Sequence, residues 1–268
     1  MRIGNKDFLI GKRTYIMGIL NVTPDSFSDG GKFNNLDNAL KHAAKLIEDG
    51  ADVIDIGGES TRPNHSPVDK NEELDRVIPI IEALVHEFDI PLSIDTYKGE
   101  VAEAALKAGA HLVNDVWGFK KDSYIAKVAA KYDVPCCLMH NRQDLNYIDF
   151  LEDVINDLKE SINIALDAGV KKENIMIDPG IGFAKSFEQN LSLMDNLEKL
   201  KILNFPILLG TSRKSMIGNI LNLPPNERVE GTAATSVIGV TKGCDFIRVH
   251  DVLENKRACT VADAILRR

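Results

Sequence analysis

The stretch YIMGILNVTPDSFSDGG, residues 15–31, joins an apolar run to a polar, glycine-rich segment. The run at 15–20 is typical of a buried strand. The segment from Asn21 to Gly31 carries more hydroxyls, carboxylates and glycines than a turn requires. This surplus predicts a mobile lid that holds polar groups over an anionic ligand, although a solvated loop with Asx turns would have a similar composition.

Short apolar runs of this kind alternate with amphipathic helical patterns along the chain. The runs are rich in Val, Ile and Leu and mostly lack an in–out alternation, as expected for parallel strands covered on both faces. They lie at residues 15–20, 52–57, 91–95, 111–115, 134–139, 174–178, 206–211 and 246–250. Helical stripes occupy 69–88 and 150–168, and Gly50, Gly109 and Gly169 suit left-handed helix caps.

About eight strand–helix repeats favour a (β/α)8 TIM barrel, an α/β fold that a single domain of this size commonly adopts. The chain has 268 residues and no linker or low-complexity segment, so residues 1–268 are predicted to form one domain. An open doubly wound sheet is the alternative. Residues 1–13 are expected to be a short extra N-terminal element, such as a hairpin that closes the bottom of the barrel.

The composition excludes several classes of partner. A net charge of −8 argues against nucleic acid and against an anionic membrane surface. No secretory signal and no apolar run of about 18 residues is present. The four cysteines lack a metal-binding spacing and are expected to be reduced thiols in a cytoplasmic protein.

In a TIM barrel the active site lies at the carboxyl ends of the strands, so the residues that follow each run are candidates. Every run is followed by a polar or charged group, which predicts a ring of such groups at one mouth. The members are Asn21, segment 57–63, Asp95, Asn114, Asp115, His140, segment 178–183, segment 212–215, Arg248 and His250. Taken singly, Asp95 or Asp178 could instead cap a helix or set a turn.

The ring combines two chemistries. One set offers acceptors, an amide and a cation, which suits a flat heterocycle such as an aminopyrimidinone; its members are Asp95, Asn114, Asp178 and Lys214. The other set offers donors and positive charge, which suits a phosphate or pyrophosphate; its members are Asn21, Arg62, Arg248 and His250. The preference of Mg2+ for oxygen ligands makes Asn21 a candidate magnesium ligand.

With these residues in view, the chain resembles the dihydropteroate synthase family, the pterin-binding barrel enzymes of folate biosynthesis that sulfonamides inhibit. The matching segments span nearly the whole chain in the order of the family. They are residues 17–31, 55–63, 93–96, 114–115, 178–183, 211–215 and 248–250. The segment Asn141–Asp144 departs from the glycine-containing stretch that is common in the family.

The resemblance implies that 6-hydroxymethyl-7,8-dihydropterin pyrophosphate is joined to p-aminobenzoate, giving 7,8-dihydropteroate and pyrophosphate. By this resemblance Asp95, Asn114, Asp178 and Lys214 hold the pterin edge and Arg248 stacks on its face. The pyrophosphate would be bound by Asn21, Arg248 and His250, and Asn21 would also contact Mg2+. The remaining substrate-binding residues are Asp25, Phe27, Thr61, Arg62, Pro63, Met139, Phe183 and Ser215.

The implied catalytic residues are Asp95, Lys214, Asn21, Arg248 and His250. An arylamine is nucleophilic at neutral pH, so loss of pyrophosphate is the difficult step, and an SN1-like substitution is expected. The family is usually homodimeric, and residues 226–240 and 252–266 are candidate dimer contacts. A pterin-binding methyltransferase and a non-catalytic pterin-binding paralogue are the alternatives.

Overall fold

Residues 1–22, 32–59 and 67–267, which this computed structural model describes, form ten β-strands and nine α-helices. The strands are β1 Arg2–Ile3, β2 Lys6–Asp7, β3 Tyr15–Asn21, β4 Val53–Gly57, β5 Leu92–Asp95, β6 Leu112–Asp115, β7 Cys136–Met139, β8 Ile175–Asp178, β9 Leu208–Leu209 and β10 Phe246–Val249. The helices are α1 Lys32–Glu48, α2 Lys70–Glu87, α3 Gly99–Lys107, α4 Tyr124–Tyr132, α5 Phe150–Asp167, α6 Phe187–Asp195, α7 Ser215–Leu221, α8 Val229–Lys242 and α9 Val252–Leu266.

Strands β3 to β10 form one parallel sheet that closes on itself. Their order is β8-β7-β6-β5-β4-β3-β10-β9. A parallel bridge between Ile177 of β8 and Ile207, just before β9, joins the two ends of this order. The predicted (β/α)8 barrel is therefore confirmed, and the open doubly wound sheet is excluded.

Strand β9 is much shorter than the predicted run at 206–211, since it covers only Leu208–Leu209. Pro206 has no N–H to donate to a sheet, although its carbonyl accepts from the Ile177 amide at 2.9 Å. A turn begins soon after Gly210, where the Lys214 amide donates to the Thr211 carbonyl at 3.1 Å. The other seven predicted strands lie within a few residues of their observed bounds.

The predicted N-terminal hairpin is present as the antiparallel pair β1 and β2. It places Ile3 and Phe8 in the inner core of the barrel. The Phe8 ring centroid lies 4.7 Å from that of Tyr15, and Tyr15 lies 5.4 Å from Phe246. Because Tyr15 and Phe246 belong to the amino ends of β3 and β10, the hairpin closes the amino end of the barrel.

Alternation along the strands decides which side chains reach the opposite mouth. An inner core layer is formed by Met17, Val53, Leu112, Cys137, Met176, Leu208 and Phe246. Side chains two positions apart share a face of a strand. The next inward residues toward the carboxyl ends are Ile19, Asp55, Asn114, Met139, Asp178, Gly210 and Arg248. Along several strands, the interior of the barrel therefore changes from apolar to polar between one inward residue and the next, two positions later.

The helices cover the outside of the barrel. In α5, the residues Val154, Leu158, Ile162 and Ala165 are buried. The predicted glycine caps are confirmed, since Gly50, Gly109 and Gly169 have φ values of 100°, 110° and 97°. Within the described ranges, no helix is both long and apolar enough to cross a membrane.

Candidate active site

The guanidinium of Arg248 joins four strand ends at the carboxyl mouth of the barrel. Its Nε donates to Asp55 Oδ2 at 2.6 Å and its Nη2 donates to Asp95 Oδ2 at 2.6 Å. Asn114 Nδ2 donates to the same Asp55 oxygen at 3.1 Å. The structure therefore brings together Arg248, Asp95 and Asn114, which the sequence placed in one site, around a further carboxylate.

Asp55 is a site residue that the sequence analysis did not identify. It is fully buried in β4, between Ile54 and Ile56. Its position in the sequence could have indicated this role, because Asp55 precedes Gly57 by two positions and therefore shares the inward face of the strand. An acidic residue within an otherwise apolar strand needs a buried partner, and Arg248 provides it.

Two carboxylate oxygens in this cluster have no hydrogen-bond partner within the described part of the chain. Asp55 Oδ1 and Asp95 Oδ1 are buried and accept no hydrogen bond from the described residues. Leaving a buried acceptor unsatisfied costs about 1–3 kcal/mol. A ligand with N–H donors at this mouth would satisfy both oxygens.

The environment of Asp95 raises the pKa of its carboxyl group into the neutral range. Burial raises the pKa of Asp95 to about 7, even though Arg248 opposes this shift; the nearby Asp55 and Glu73 carboxylates add to it. Burial by itself would lower the pKa of Arg248. The carboxylates of Asp55 and Asp95 outweigh this effect and raise the pKa above its ordinary value, so the guanidinium stays charged. The cluster therefore has one fixed cation and a carboxylate whose charge depends strongly on what binds beside it.

Asp178 and Lys214 extend the cluster across the mouth. Asp178 Oδ1 accepts from the Gly180 amide at 2.7 Å. Burial raises the pKa of Asp178, while Lys214 opposes the shift. Lys214 Nζ donates to the Ile181 carbonyl and lies 4.8 Å from the centroid of the Phe183 ring. Burial lowers the pKa of Lys214 to about 8, and Asp178 opposes that shift.

A tight turn before α7 places Lys214. Arg213 has a φ of 57°, and its guanidinium pairs with Asp251, with Nε 2.9 Å from Oδ2. Arg228 Nη1 donates to the carbonyls of Arg213 at 2.8 Å and Lys214 at 3.2 Å. The two arginines thus stabilise the turn, and Lys214 is the cation of this segment that points to the site.

Two inward-facing glycines leave space on the floor of the mouth. A Cβ added to Gly57 would lie 3.7 Å from Asn21 Oδ1 and 3.8 Å from Asp95 Oδ2. A Cβ added to Gly210 would lie 3.7 Å from Asp178 Oδ2 and 4.0 Å from Arg248 Cβ. These distances place Asn21 near Asp95 and Asp178 near Arg248, and they leave space for a methyl group at each glycine.

His250 lies just beyond β10, on the same face as Arg248. Its Nδ1 is 2.9 Å from Ser212 Oγ, and its backbone amide donates to the same oxygen at 3.1 Å. Ser212 therefore orients the imidazole. Asn21 ends β3 and is half-buried, so both residues suit contact with a ligand group near the rim.

Two predicted strand-end residues, His140 and Asp115, lie outside this cluster. His140 faces outward, where its Nε2 is 2.9 Å from Asp157 Oδ2. Asp115 accepts from the amides of Trp117 at 2.8 Å and Phe119 at 2.7 Å, so it shapes a loop. The expectation that every strand delivers a polar group to one mouth is therefore wrong for β7, whose inward residue is the buried Met139. The cause is alternation, which sends consecutive residues to opposite faces.

Other substrate-binding candidates have different settings. Met139 pairs in register with Asp178, and Phe183 is half-buried against Lys214. Ser215 is exposed at the start of α7. The remaining candidates lie outside the described residues; they are Asp25, Phe27, Thr61, Arg62 and Pro63.

Comparison with known proteins gives a consistent result. The profile of the pterin binding enzyme family matches residues 17–250. The chain is 66% identical over 269 residues to the dihydropteroate synthase of Clostridium beijerinckii, and the alignment covers 100% of both chains.

Solved structures are similarly close to this fold. A dihydropteroate synthase from Clostridium difficile, crystallised in the presence of pteroic acid, is 58% identical with a TM-score of 0.96 and covers 98% of this chain and 100% of its own. The enzyme from Xanthomonas albilineans in complex with 7,8-dihydropteroate is 42% identical with a TM-score of 0.88, covering 96% of this chain and 95% of its own.

Proposed function

Because this chain belongs to the family of pterin-binding enzymes, we propose that it acts as a dihydropteroate synthase. It joins 6-hydroxymethyl-7,8-dihydropterin pyrophosphate to p-aminobenzoate, forming 7,8-dihydropteroate and releasing pyrophosphate. The observation that carries this proposal is the Arg248 cluster at the mouth of the barrel, where two buried carboxylate oxygens accept no hydrogen bond from the described residues.

The pterin ring suits this cluster by its pattern of donors and acceptors. Its 2-amino group and ring N–H groups are donors, and the site offers the carboxylates of Asp55, Asp95 and Asp178 as acceptors. The pterin carbonyl is an acceptor, for which Asn114 and Lys214 offer N–H groups. The planar guanidinium of Arg248 suits stacking against the ring.

The reaction breaks the bond between the pterin methylene carbon and the pyrophosphate oxygen, and the electron pair leaves with pyrophosphate. The arylamine nitrogen then donates its lone pair to the methylene carbon and loses a proton to solvent. As the bond breaks, positive charge spreads over the dihydropterin ring. We assign Asp95 to this step, because its carboxylate has a raised pKa and an oxygen that accepts no hydrogen bond from the described residues, and the proposed binding mode would bring that oxygen to the ring.

This arrangement favours the transition state over the bound substrate. In the empty site the charge on Asp95 is costly, because burial removes its water. A cationic ring would reduce that cost more than a neutral ring does, so the interaction strengthens as the bond breaks. Lys214 and His250 supply donors for the remaining polar contacts of the substrates.

Mg2+ is the proposed cofactor. No group of three His, Cys, Asp or Glu side chains in the described ranges could hold a metal ion, but Mg2+ commonly binds through one or two protein oxygens together with substrate phosphates. The Asn21 amide oxygen at the mouth fits that role. When bound, the ion would neutralise charge on the pyrophosphate. Asn21→Ala is expected to raise the Mg2+ concentration needed for pyrophosphate binding, measured by calorimetry.

A coupled pyrophosphate-release assay tests the proposed reaction. Release is expected only when the pterin pyrophosphate and p-aminobenzoate are both present, and mass spectrometry should identify 7,8-dihydropteroate. Reactions lacking either substrate are the controls. Release that does not depend on p-aminobenzoate would indicate hydrolysis, and no release would indicate a pterin-binding protein without this activity; both results would contradict the proposal.

The proposal also includes a homodimer in the cytoplasm. Helices α7, α8 and α9 carry large exposed apolar side chains, which are Ile220, Leu221, Ile238, Val261, Ile265 and Leu266. Exposed apolar side chains on helices that pack against one another, α7 on α8 and α8 on α9, support the proposed protein–protein contact. All four cysteines are buried and unpaired, which supports a reducing compartment.

A further inference from the structure

Lys185 occupies a buried position behind the loop that follows β8. Its Nζ lies 2.9 Å from the Gly180 carbonyl, 2.9 Å from the Phe183 carbonyl and 2.8 Å from His140 Nδ1. An ammonium group has three donors and no acceptor. Lys185 therefore uses all three donors, and two of them hold the backbone on either side of Ile181 and Gly182.

The partner of Lys185 on the opposite side is itself fixed. Since Lys185 can only donate, His140 Nδ1 accepts, and the imidazole proton lies on Nε2. That proton is donated to Asp157 Oδ2 at 2.9 Å. Burial lowers the pKa of His140 to about 4, so the ring remains neutral and keeps this tautomer. Asp157 is also paired with Arg142 Nε at 2.6 Å, and the chain of contacts ends in a surface ion pair.

The loop held by Lys185 contacts the site directly. Ile181 accepts from Lys214 Nζ, and the Phe183 ring lies under the same ammonium group at 4.8 Å. The Gly180 end has a second anchor, because its amide donates to Asp178 Oδ1 at 2.7 Å. A Cβ on Gly180 would lie 2.0 Å from the His140 carbonyl oxygen, so the loop also packs tightly there. The Phe183 end is held by Lys185 together with two other bonds, since the Gly182 amide donates to Asn190 Oδ1 at 2.6 Å and the Tyr147 hydroxyl donates to the Ala184 carbonyl at 2.7 Å.

We propose that Lys185 is a positioning residue that places Phe183 and Lys214 for p-aminobenzoate. Lys185 does not touch the reacting atoms and acts through the backbone of residues 180–183. The assignment to p-aminobenzoate rests on the proposed function, whereas the restraint on the loop does not. No other described lysine combines bonds to both Gly180 and Phe183.

The pKa of Lys185 depends on its burial and on the charged side chains around it. Burial lowers the pKa of Lys185 to about 7; Asp178 and Asp157 oppose the shift, and Lys214 and Lys120 add to it. Removing the ammonium would take away the Lys185 bond to the Phe183 carbonyl, whereas the Gly180 carbonyl would keep the bond from the Phe183 amide at 3.1 Å. Met has a similar length without donors, so Lys185→Met removes these bonds with little change in volume.

The test compares Lys185→Met with Lys120→Met in steady-state kinetics. Lys120 is a suitable control, because it is also partly buried and donates to a carbonyl, that of Asn141 at 3.0 Å, but does not contact residues 180–183. For Lys185→Met, the KM for p-aminobenzoate should rise about tenfold or more, while the Kd of the pterin pyrophosphate changes less than about threefold. Lys120→Met should leave both values near those of the wild type.

Amide hydrogen exchange provides a readout that needs no turnover. The Phe183 amide donates to the Gly180 carbonyl at 3.1 Å, and its exchange should accelerate about tenfold or more in Lys185→Met and stay unchanged in Lys120→Met. Unchanged exchange, or equal losses of pterin and p-aminobenzoate binding, would overturn the proposal. An inactive wild type would contradict the proposed reaction, and the exchange data would still decide the role of Lys185.

Discussion

Asp95 combines two features that seldom coexist in a stable core. It is 5% exposed, and among the residues that the structure describes only one of its oxygens is hydrogen-bonded, to Arg248. A structural carboxylate would be expected to satisfy both oxygens. Its burial raises the pKa to about 7, so the free enzyme holds a destabilised charge that a cationic ring would stabilise.

Replacing Asp95 by Asn should separate catalysis from binding. The amide keeps an oxygen for Arg248 and removes the negative charge, so we expect kcat to fall about 100-fold or more while the pterin Kd changes less than about threefold. Stopped-flow or steady-state turnover and calorimetric titration would measure the two effects. Equal losses in both would mean that Asp95 only positions the ring.

For the pterin pyrophosphate, the pH dependence of kcat/KM is predicted from the two pterin-site side chains Asp95 and Lys214; Lys185, with a pKa of about 7, is expected to act on p-aminobenzoate instead. Asp95, with a pKa of about 7, loses its charge as the pH falls, and Lys214, with a pKa of about 8, loses its charge as the pH rises. Activity should therefore decline below about pH 7 and above about pH 8, because kcat/KM reports the free enzyme.

Lys214→Arg tests the alkaline limb, because a guanidinium stays charged throughout this range. We expect the decline above pH 8 to move to higher pH or to disappear, even if the maximum rate is lower. An alkaline limb that remains in place would assign it to another group.

At the scale of elements, strand ends and their glycines shape the mouth. Gly57 ends β4 and Gly210 follows β9, and both face the cluster. Neither has a positive φ, so the backbone does not require glycine at these positions. Their role is to leave volume beside Asp95, Asp178 and Arg248.

Gly210→Ala should therefore weaken pterin binding without unfolding the protein. The new methyl group would make only ordinary contacts of 3.7 Å or more, so Tm should change little, while the pterin Kd rises about tenfold from the lost ligand volume. Gly18→Ala is the matched control on β3. Its Cβ would face helix residues, 3.3 Å from Val252 Cγ2, and should lower Tm without changing the pterin Kd. An unchanged pterin affinity in Gly210→Ala would mean that the pterin ring does not bind beside Gly210.

At the scale of the whole molecule, much of the barrel was predictable because strand patterns are local. The order of the runs and the hairpin at 1–13 followed from apolar patterning and turn residues. That residues 1–268 form one domain stays a prediction. The short β9 was harder to predict. The residues around Pro206 are apolar and resemble a longer strand, although Pro206 has no backbone N–H to donate to the sheet.

The site was less predictable, because its partners come from distant strands. Asp55 and Arg248 are 193 residues apart in sequence, and no local pattern indicates their pairing. His140 and Met139 show a second limit: at the end of a strand, one position decides whether a side chain faces the mouth or the helices. The assignment required the strand register that the structure provides.

The exposed apolar residues of α7–α9 lead to a prediction about assembly. Val261 and Ile265 lie on α9 at 62% and 61% exposure. Replacing Ile265 by Glu should convert a dimer to a monomer, measured by light scattering after size-exclusion chromatography, because an unpaired charge would be buried in the contact. Ile148→Glu is the control, since Ile148 is 101% exposed in the loop before α5. A wild-type monomer, or a dimer that withstands Ile265→Glu, would contradict this contact.

The most direct measurement is a crystal structure with the pterin pyrophosphate and an unreactive analogue of p-aminobenzoate bound. We expect density for the pterin at the carboxyl mouth, with its N–H groups on the Asp55 and Asp95 oxygens and its ring against Arg248. Density in the cavity of about 700 Å³ lined by Trp117, Lys120 and Arg142, or a ring that leaves those two carboxylate oxygens unpaired, would contradict the assignment of the site.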